Sequence, residues 1–187
     1  MPDRILVYGV TGSGKTWLAE RISAATGIPW HSIDDLTWEP GWIPVPEDEQ
    51  RRRVARICAE ERWVLDTAYG AWLDLALART ELIVALDFPR RHSLSRLIRR
   101  SVARAVDGRP ICNGNHETFR HLLSRDSIVV WHFRSFRRKS ERMRSWENDP
   151  AAPTVLRFTS PPQVEQWLAE RPLRLRELLE PVGDPGP

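Results

Sequence analysis

The chain alternates between short apolar runs and longer stretches in which apolar residues recur at helical spacing. Five runs are mostly apolar and rich in β-branched or aromatic residues, which predicts strands that are buried in a sheet. These runs cover residues 4–8, 28–33, 62–66, 81–88 and 154–158.

The stretches between the strands have the apolar period and the flanking Gly and Pro residues of helices. They predict helices over about 14–25, 47–60, 72–79, 89–106, 117–123, 133–146, 161–169 and 173–179. Five strands that are mostly joined by helices predict an α/β domain of three layers, with a parallel sheet at its centre. We expect one domain over residues 1–180 and a frayed tail over 181–187.

The turn after the first strand carries the clearest chemical motif of the chain. Its residues are Gly9, Val10, Thr11, Gly12, Ser13, Gly14, Lys15 and Thr16. A strand, a glycine-rich turn of the form G-x-x-x-x-G-K-[ST] and a helix together form a P-loop. Its backbone N–H groups converge on phosphate oxygens, and the helix N-terminus adds positive potential. Lys15 is predicted to reach the outer phosphates, and the Thr16 hydroxyl is predicted to bind Mg²⁺.

Size and composition limit the other possibilities. The chain has 187 residues, 41% of them apolar, and contains no apolar run of the roughly 20 residues that a membrane-spanning helix needs. The two cysteines, Cys58 and Cys112, have neither metal-site spacing nor a disulfide framework. We therefore expect a cytoplasmic protein with free thiols.

Carboxylates follow three of the predicted strands. Asp34 and Asp35 come after the second strand, Asp66 ends the third and Asp87 ends the fourth. Ligands of open α/β sheets bind beyond the carboxyl ends of the strands, where these side chains stand with the P-loop. Asp34 or Asp35 can orient an acceptor hydroxyl, whereas Asp66 and Asp87 both suit a carboxylate near Mg²⁺. The sequence does not choose between the last two, and one of them can instead be structural.

Positive charge is unevenly distributed, although the net charge is only +3. Arg96, Arg100 and Arg104 are spaced by four, so they form one row on the predicted helix 89–106. A row of arginines without interleaved acids favours contact with anions over plain solvation. The segment of about 104–137 is long for a simple connection and contains a Gly- and Asn-rich loop, which predicts a lid.

Several of these stretches resemble one family. The chain resembles small P-loop kinases of the adenylate kinase and shikimate kinase type, and most closely their bacterial adenylate kinase-like, or DNA topology modulation (FlaR-type), branch. The resemblance rests on residues 9–16, 31–36, Trp38, 40–42, 63–66, 86–90, the Asn113-Gly114-Asn115 loop and Glu117.

The resemblance implies a strand order of 2-3-1-4-5, ATP with Mg²⁺ and a closing lid. It further implies that Arg96 packs on the adenine, that Arg100 binds phosphate, and that arginines beyond the lid such as Arg134 and Arg138 contact the transferring phosphoryl group. Asp34 matches the acceptor-binding aspartate of shikimate-type kinases. Trp38 and Tyr69, which lie in or beside the matching stretches, are expected to line the acceptor pocket with Asp34 and Asp35.

One departure bears on the acceptor. Nucleotide kinases carry an Arg after the third strand that binds the acceptor phosphate, whereas this chain has Thr67 to Gly70 there and no Arg. We therefore expect an ATP-dependent kinase of a small molecule that is not held as an ordinary nucleoside monophosphate. The alternative is an ATP-binding regulatory or nucleic-acid-associated protein with weak ATPase activity. We expect a monomer or a weak homodimer.

Overall fold

The computed structural model describes residues 2–122, 124 and 127–170 of the chain. The predicted helix 173–179 and the tail 181–187 lie outside these residues. The strands are β1 (Arg4–Gly9), β2 (Trp30–His31), β3 (Trp38–Glu39), β4 (Ile43–Pro44), β5 (Trp63–Leu65), β6 (Leu82–Leu86) and β7 (Thr154–Phe158). The helices are α1 (Lys15–Thr26), α2 (Ile33–Thr37), α3 (Glu47–Ala59), α4 (Leu73–Leu77), α5 (Arg90–Asp107), α6 (Phe119–Leu122), α7 (Ile128–Glu147) and α8 (Pro161–Ala169).

A parallel sheet of five strands forms the centre of the fold, in the order β2-β5-β1-β6-β7. Counted along the chain among these five strands, the order is 2-3-1-4-5, which confirms the prediction. The labels β3 and β4 belong to a separate antiparallel hairpin that the sequence pattern did not predict.

Side chains from alternate positions of β1 face two different apolar clusters, because successive residues of a strand point to opposite faces of the sheet. Leu6 and Tyr8 belong to a cluster that also contains buried residues of α3, α4 and α7. Ile5 and Val7 belong to a second cluster, which includes residues of α1 and α8. The sheet therefore lies between two layers of helices, as predicted.

Several predicted elements differ from the observed bounds, and two of these differences are described here. The second strand ends at His31 rather than Ile33, because residues 33–37 form helix α2. Asp34 and Asp35 occupy the first turn of α2, where negative charge is favourable. The basic helix α7 begins at Ile128 rather than Phe133, and the Ser127 side chain caps it by accepting from the Val130 N–H.

Among the described residues, no helix combines the length and the apolar character that crossing a bilayer requires.

Candidate phosphate and acceptor site

The P-loop connects β1 to α1, as the sequence predicted. Gly12 and Gly14 have φ angles of 83° and 100°, in the left-handed region that glycine enters without strain. A Cβ atom at Gly12 would lie 2.3 Å from the Ser93 carbonyl oxygen, so α5 packs directly on the loop. The predicted loop residues Gly9, Thr11 and Ser13 complete this turn, in which the Ser13 N–H donates to the Val10 carbonyl oxygen over 3.2 Å.

Lys15 lies against the loop and close to two carboxylates. Its Nζ donates to the Val10 carbonyl oxygen over 3.1 Å. Burial lowers the pKa of Lys15, and the negative charges of Asp34 and Asp66 oppose that shift. The lysine of the motif and the aspartates that follow the second and third sheet strands thus lie within electrostatic reach of one another.

Asp66 is buried at the end of β5, beside the P-loop threonine. The Thr16 hydroxyl donates to Asp66 Oδ2 over 2.8 Å, and the Ile33 N–H donates to Oδ1 over 3.0 Å. Burial raises the pKa of Asp66, although these two hydrogen bonds and the charge of Lys15 act in the opposite direction. The carboxylate is therefore held beside the hydroxyl that the motif assigns to Mg²⁺.

Asp87 stands at the end of β6 in a different environment. Its carboxylate accepts hydrogen bonds from the Ser140 hydroxyl, from Arg144 Nε over 3.1 Å and from Arg157 Nη1 over 3.2 Å. The side chain is only 3% exposed. Both carboxylate oxygens are thus engaged by side chains of α7 and β7.

Asp34 and Tyr69 face each other in the region predicted to receive the acceptor. The Tyr69 hydroxyl donates to Asp34 Oδ1 over 2.6 Å. Burial and the neighbouring Asp34 carboxylate raise the pKa of Tyr69 well above its ordinary value, so the phenol remains a proton donor. No other hydrogen bond to the Asp34 carboxylate occurs among the described residues, so Oδ2 remains available as a hydrogen-bond acceptor.

The hairpin β3–β4 is fastened to the loop that follows α5. The Asn113 side chain donates to the carbonyl oxygens of Asp35 and Trp38 over 2.6 and 2.7 Å. Asn115 binds the Trp42 N–H and the Glu39 carbonyl oxygen over 2.7 and 3.0 Å. Trp38 packs edge-on against Trp42, with 5.7 Å between the ring centroids. The first part of the predicted lid is thereby joined to the segment that carries Asp35 and Trp38.

Arginines of α5 form the other wall of the phosphate region. Arg96, Arg99 and Arg100 line a cavity of about 310 Å³ together with Gly12 and Gly14. The guanidinium of Arg96 lies close enough to Gly14 that a Cβ there would be 3.2 Å from Nη2. The predicted adenine and phosphate arginines therefore both open onto the P-loop.

The arginines predicted beyond the lid lie on the surface of α7. Arg134 and Arg138 are exposed, and in the described part of the chain neither forms an ion pair or a hydrogen bond. The basic residue of α7 that contacts the P-loop is instead Lys139, whose Nζ donates to the Gly9 carbonyl oxygen over 3.3 Å. Our sequence reasoning missed Lys139, because the register of α7 against the loop depends on the packing of α7 on β1 and α5.

Thr16 and Asp66 suit a magnesium ion that is bound together with nucleotide phosphates. Within the described residues, no group of three or more His, Cys, Asp or Glu side chains could hold a metal ion. Mg²⁺ commonly uses one or two protein oxygens and completes its octahedron with phosphate oxygens and water. Thr16 Oγ1 and the Asp66 carboxylate, which are 2.8 Å apart, fit that requirement.

Comparison with solved structures gives the fold. A deoxyadenosine kinase from M. mycoides is 12% identical, with a TM-score of 0.56 over 92% of this chain and 98% of that chain. The shikimate kinase of Aquifex aeolicus is 17% identical, with a TM-score of 0.51 over 95% and 99%. A gluconokinase from Sinorhizobium meliloti 1021 is also 17% identical, with a TM-score of 0.50 over 96% and 98%.

Comparison by sequence gave no matching family model and no matching curated protein. The identity to each of these three kinases is too low to assign this chain an acceptor. The similarity establishes that the chain has the fold of the small P-loop kinases, at nearly the full length of each of them.

Proposed function

We propose that the protein is an ATP- and Mg²⁺-dependent kinase that phosphorylates a hydroxyl group of a small molecule. The observation that carries the proposal is the grouping of a carboxylate held by a phenol, a P-loop lysine and a carboxylate–threonine pair. The group lies at the carboxyl ends of the strands and consists of the Asp34–Tyr69 pair, Lys15 and the Asp66–Thr16 pair. A P-loop that only binds nucleotide has no need of the Asp34–Tyr69 pair.

Different residues of the site bind the nucleotide phosphates and the metal ion. The P-loop backbone and Lys15 bind the β- and γ-phosphates, Arg96 lies on the nucleotide side, and Arg100 offsets phosphate charge. When bound, Mg²⁺ would be held by Thr16 and Asp66 and would neutralise charge on the β- and γ-phosphate oxygens. Among the carboxylates that follow the sheet strands, Asp66 is the one whose surroundings suit this role, since Asp87 is engaged by two arginines.

Asp34 supplies the acceptor side of the reaction. The acceptor hydroxyl donates its proton to Asp34 Oδ2 while its oxygen forms a bond to the γ-phosphorus. The bond between that phosphorus and the β–γ bridging oxygen breaks, and ADP leaves. The hydrogen bond from Tyr69 occupies Oδ1 and leaves Oδ2 for the acceptor.

The acceptor is expected to be a hydroxylated compound rather than a nucleoside monophosphate held in the usual way. The segment after β5 places Tyr69, and not an arginine, opposite Asp34. We further propose that the protein belongs to the FlaR-type branch that it resembles. We also propose that it is cytoplasmic and is a monomer or a weak homodimer. Phosphorylation of a small molecule does not require direct contact with nucleic acid.

The test is a screen of ATP consumption against nucleosides, nucleotides, sugars and small hydroxy acids, with product phosphorylation confirmed by mass spectrometry. We expect one compound class to stimulate ADP formation well above the rate with water alone. Lys15→Ala and Asp34→Asn should each abolish the stimulated rate. Asp48→Asn is the matched control, because Asp48 is an exposed surface residue of α3 and should leave the rate unchanged. Full turnover by the Lys15→Ala protein would contradict the proposal.

A further inference from the structure

The chain uses lysine at two positions only. Its 28 Lys and Arg residues comprise 26 arginines and the two lysines Lys15 and Lys139. Both lysines contact the same turn of backbone. Lys15 Nζ donates to the Val10 carbonyl oxygen over 3.1 Å, and Lys139 Nζ donates to the Gly9 carbonyl oxygen over 3.3 Å. Two ammonium groups from distant parts of the sequence therefore bind consecutive carbonyls at the entrance to the P-loop.

Lys139 is buried, with 6% of its surface exposed. Its Nζ lies 5.4 Å from the centre of the Tyr8 ring, while Arg142 donates to the Tyr8 hydroxyl over 3.3 Å. In the described residues Lys139 forms no ion pair with a carboxylate. A buried ammonium with a carbonyl and an aromatic face as partners carries a large desolvation cost.

The charges around Lys139 do not remove that cost. Lys15, from the start of α1, and Arg138 and Arg142, from α7 itself, act against the charged form, whereas Asp34, from α2, favours it. Burial is the largest influence and lowers the pKa of Lys139 to about 7. For stability alone, an apolar side chain would serve this position better. The position is better explained if an anion that binds to the loop completes the charge balance.

We propose that Lys139 is a second lysine that binds phosphate at the P-loop. When nucleotide binds, its Nζ gives up the hydrogen bond to the Gly9 carbonyl oxygen and donates to a phosphate oxygen instead. The proposal rests on the proposed function, since it requires nucleotide phosphates on the loop. Lysine differs from arginine at this position because a buried ammonium can lose its proton, whereas a guanidinium stays charged.

Proton uptake is a direct consequence. At pH 8 about nine-tenths of a lysine with a pKa of about 7 is neutral. A phosphate anion beside Nζ favours the charged form, so binding draws a proton from solution. ADP serves as the probe because it can be studied without turnover.

The experiment is calorimetric titration of ADP at pH 8 in two buffers with different ionisation enthalpies, which yields the number of protons taken up. We expect the wild-type protein to take up roughly half a proton to one proton more than Lys139→Arg, because arginine is already charged before binding. Lys139→Arg should keep its ADP affinity within a few-fold, whereas Lys139→Met should lose about tenfold or more. Arg56→Met, which removes a charge from the exposed face of α3, is the control and should match the wild type.

A role confined to folding would give a different result. In that case Lys139→Met would change the thermal stability but bind ADP as tightly as the wild type, and proton uptake would equal that of Lys139→Arg. Either observation overturns the proposal.

A second measurement follows the lysine side chains of the wild-type protein directly and uses only the conservative Lys139→Arg variant, for assignment. Labelling with ¹³C-lysine gives side-chain Cε signals from only two residues, and comparison with Lys139→Arg assigns them. We expect the pKa of Lys139 to rise on saturation with ADP, and an unchanged titration curve would overturn the proposal. If the wild-type protein does not bind ADP in either experiment, the proposed function itself fails. If it binds ADP and Lys139 does not respond, only the present inference fails.

Discussion

Two strand ends of the sheet differ in chemistry although their sequences look alike. β5 and β6 flank β1, both consist of buried apolar residues, and both are followed by an aspartate. Asp66 accepts from the Thr16 hydroxyl and the Ile33 N–H, whereas Asp87 accepts from Ser140, Arg144 and Arg157.

The difference is one of charge compensation. Asp66 is buried beside neutral hydrogen-bond donors, with Lys15 as the nearby cation that lowers its pKa. Asp87 forms ion pairs with two guanidinium groups. A buried carboxylate without an ion pair is costly unless a cation joins it, whereas a paired one becomes costly when its partner is removed. An apolar strand followed by aspartate therefore places a carboxylate at the carboxyl end of the sheet. The groups around that carboxylate decide whether it can bind a metal ion.

Among variants at these two strand ends, Asp66→Asn has the largest expected effect. The substitution removes the charge beside Thr16 and should lower Mg²⁺-dependent turnover by about 10- to 100-fold, with a higher Mg²⁺ requirement. The measurement is the initial rate as a function of Mg²⁺ concentration, with Asp48→Asn as the surface control. An unchanged Mg²⁺ dependence would show that the comparison of the two strand ends does not extend to metal binding.

Asp87→Asn should act on stability instead. It removes the buried carboxylate charge that Arg144 and Arg157 share, although Arg157 keeps Glu147, and this costs about 2–3 kcal/mol of unfolding free energy. Urea unfolding measures this loss, and the Mg²⁺ dependence of turnover in the folded protein should stay at the wild-type value. A shift in Mg²⁺ dependence comparable to that of Asp66→Asn would indicate that Asp87 also binds the metal ion.

The two arginines that bind Asp87 allow a finer test. The Arg157 side chain is 23% exposed and also binds Glu147, whereas the Arg144 side chain is 61% exposed. Arg157→Gln should therefore cost about 1 kcal/mol and Arg144→Gln about 0.5 kcal/mol or less, since water screens the exposed pair. Unfolding of both variants at low and high salt checks the order, which the reverse ranking would contradict.

The smallest effect is the pH dependence of stability in the absence of metal. Because burial raises the pKa of Asp66, the folded state holds its proton to higher pH than the unfolded state does. The contribution of this group is therefore present at low pH and is lost as the pH rises from about 4 through the raised pKa. Asp66→Asn lacks that loss, so its melting temperature relative to the wild type should increase from pH 4 to neutral pH. If the difference in melting temperature between the two proteins does not vary with pH, burial does not raise the pKa of Asp66.

Much of the fold followed from local pattern. Apolar runs located the five strands of the parallel sheet, and their alternation with helices predicted three layers. The hairpin β3–β4 and helix α2 were not predicted, because their residues are few and their conformation depends on partners far along the chain. Asn113 and Asn115 hold the hairpin from the loop after α5, and Asp66 accepts from the first N–H of α2.

The sequence by itself determined the P-loop, since its spacing of glycines, lysine and threonine encodes a backbone shape that needs few distant contacts. It also determined which residue types stand at the sheet edge. Only the tertiary structure decided which carboxylate lies beside Thr16 and which cation of α7 reaches the loop. The first choice depends on the pairing of β5 with β1, which brings Asp66 to Thr16. The second depends on the register of α7 against β1 and α5, which brings Lys139 to Gly9. That register results from packing between elements distant in sequence, and no local pattern contains it.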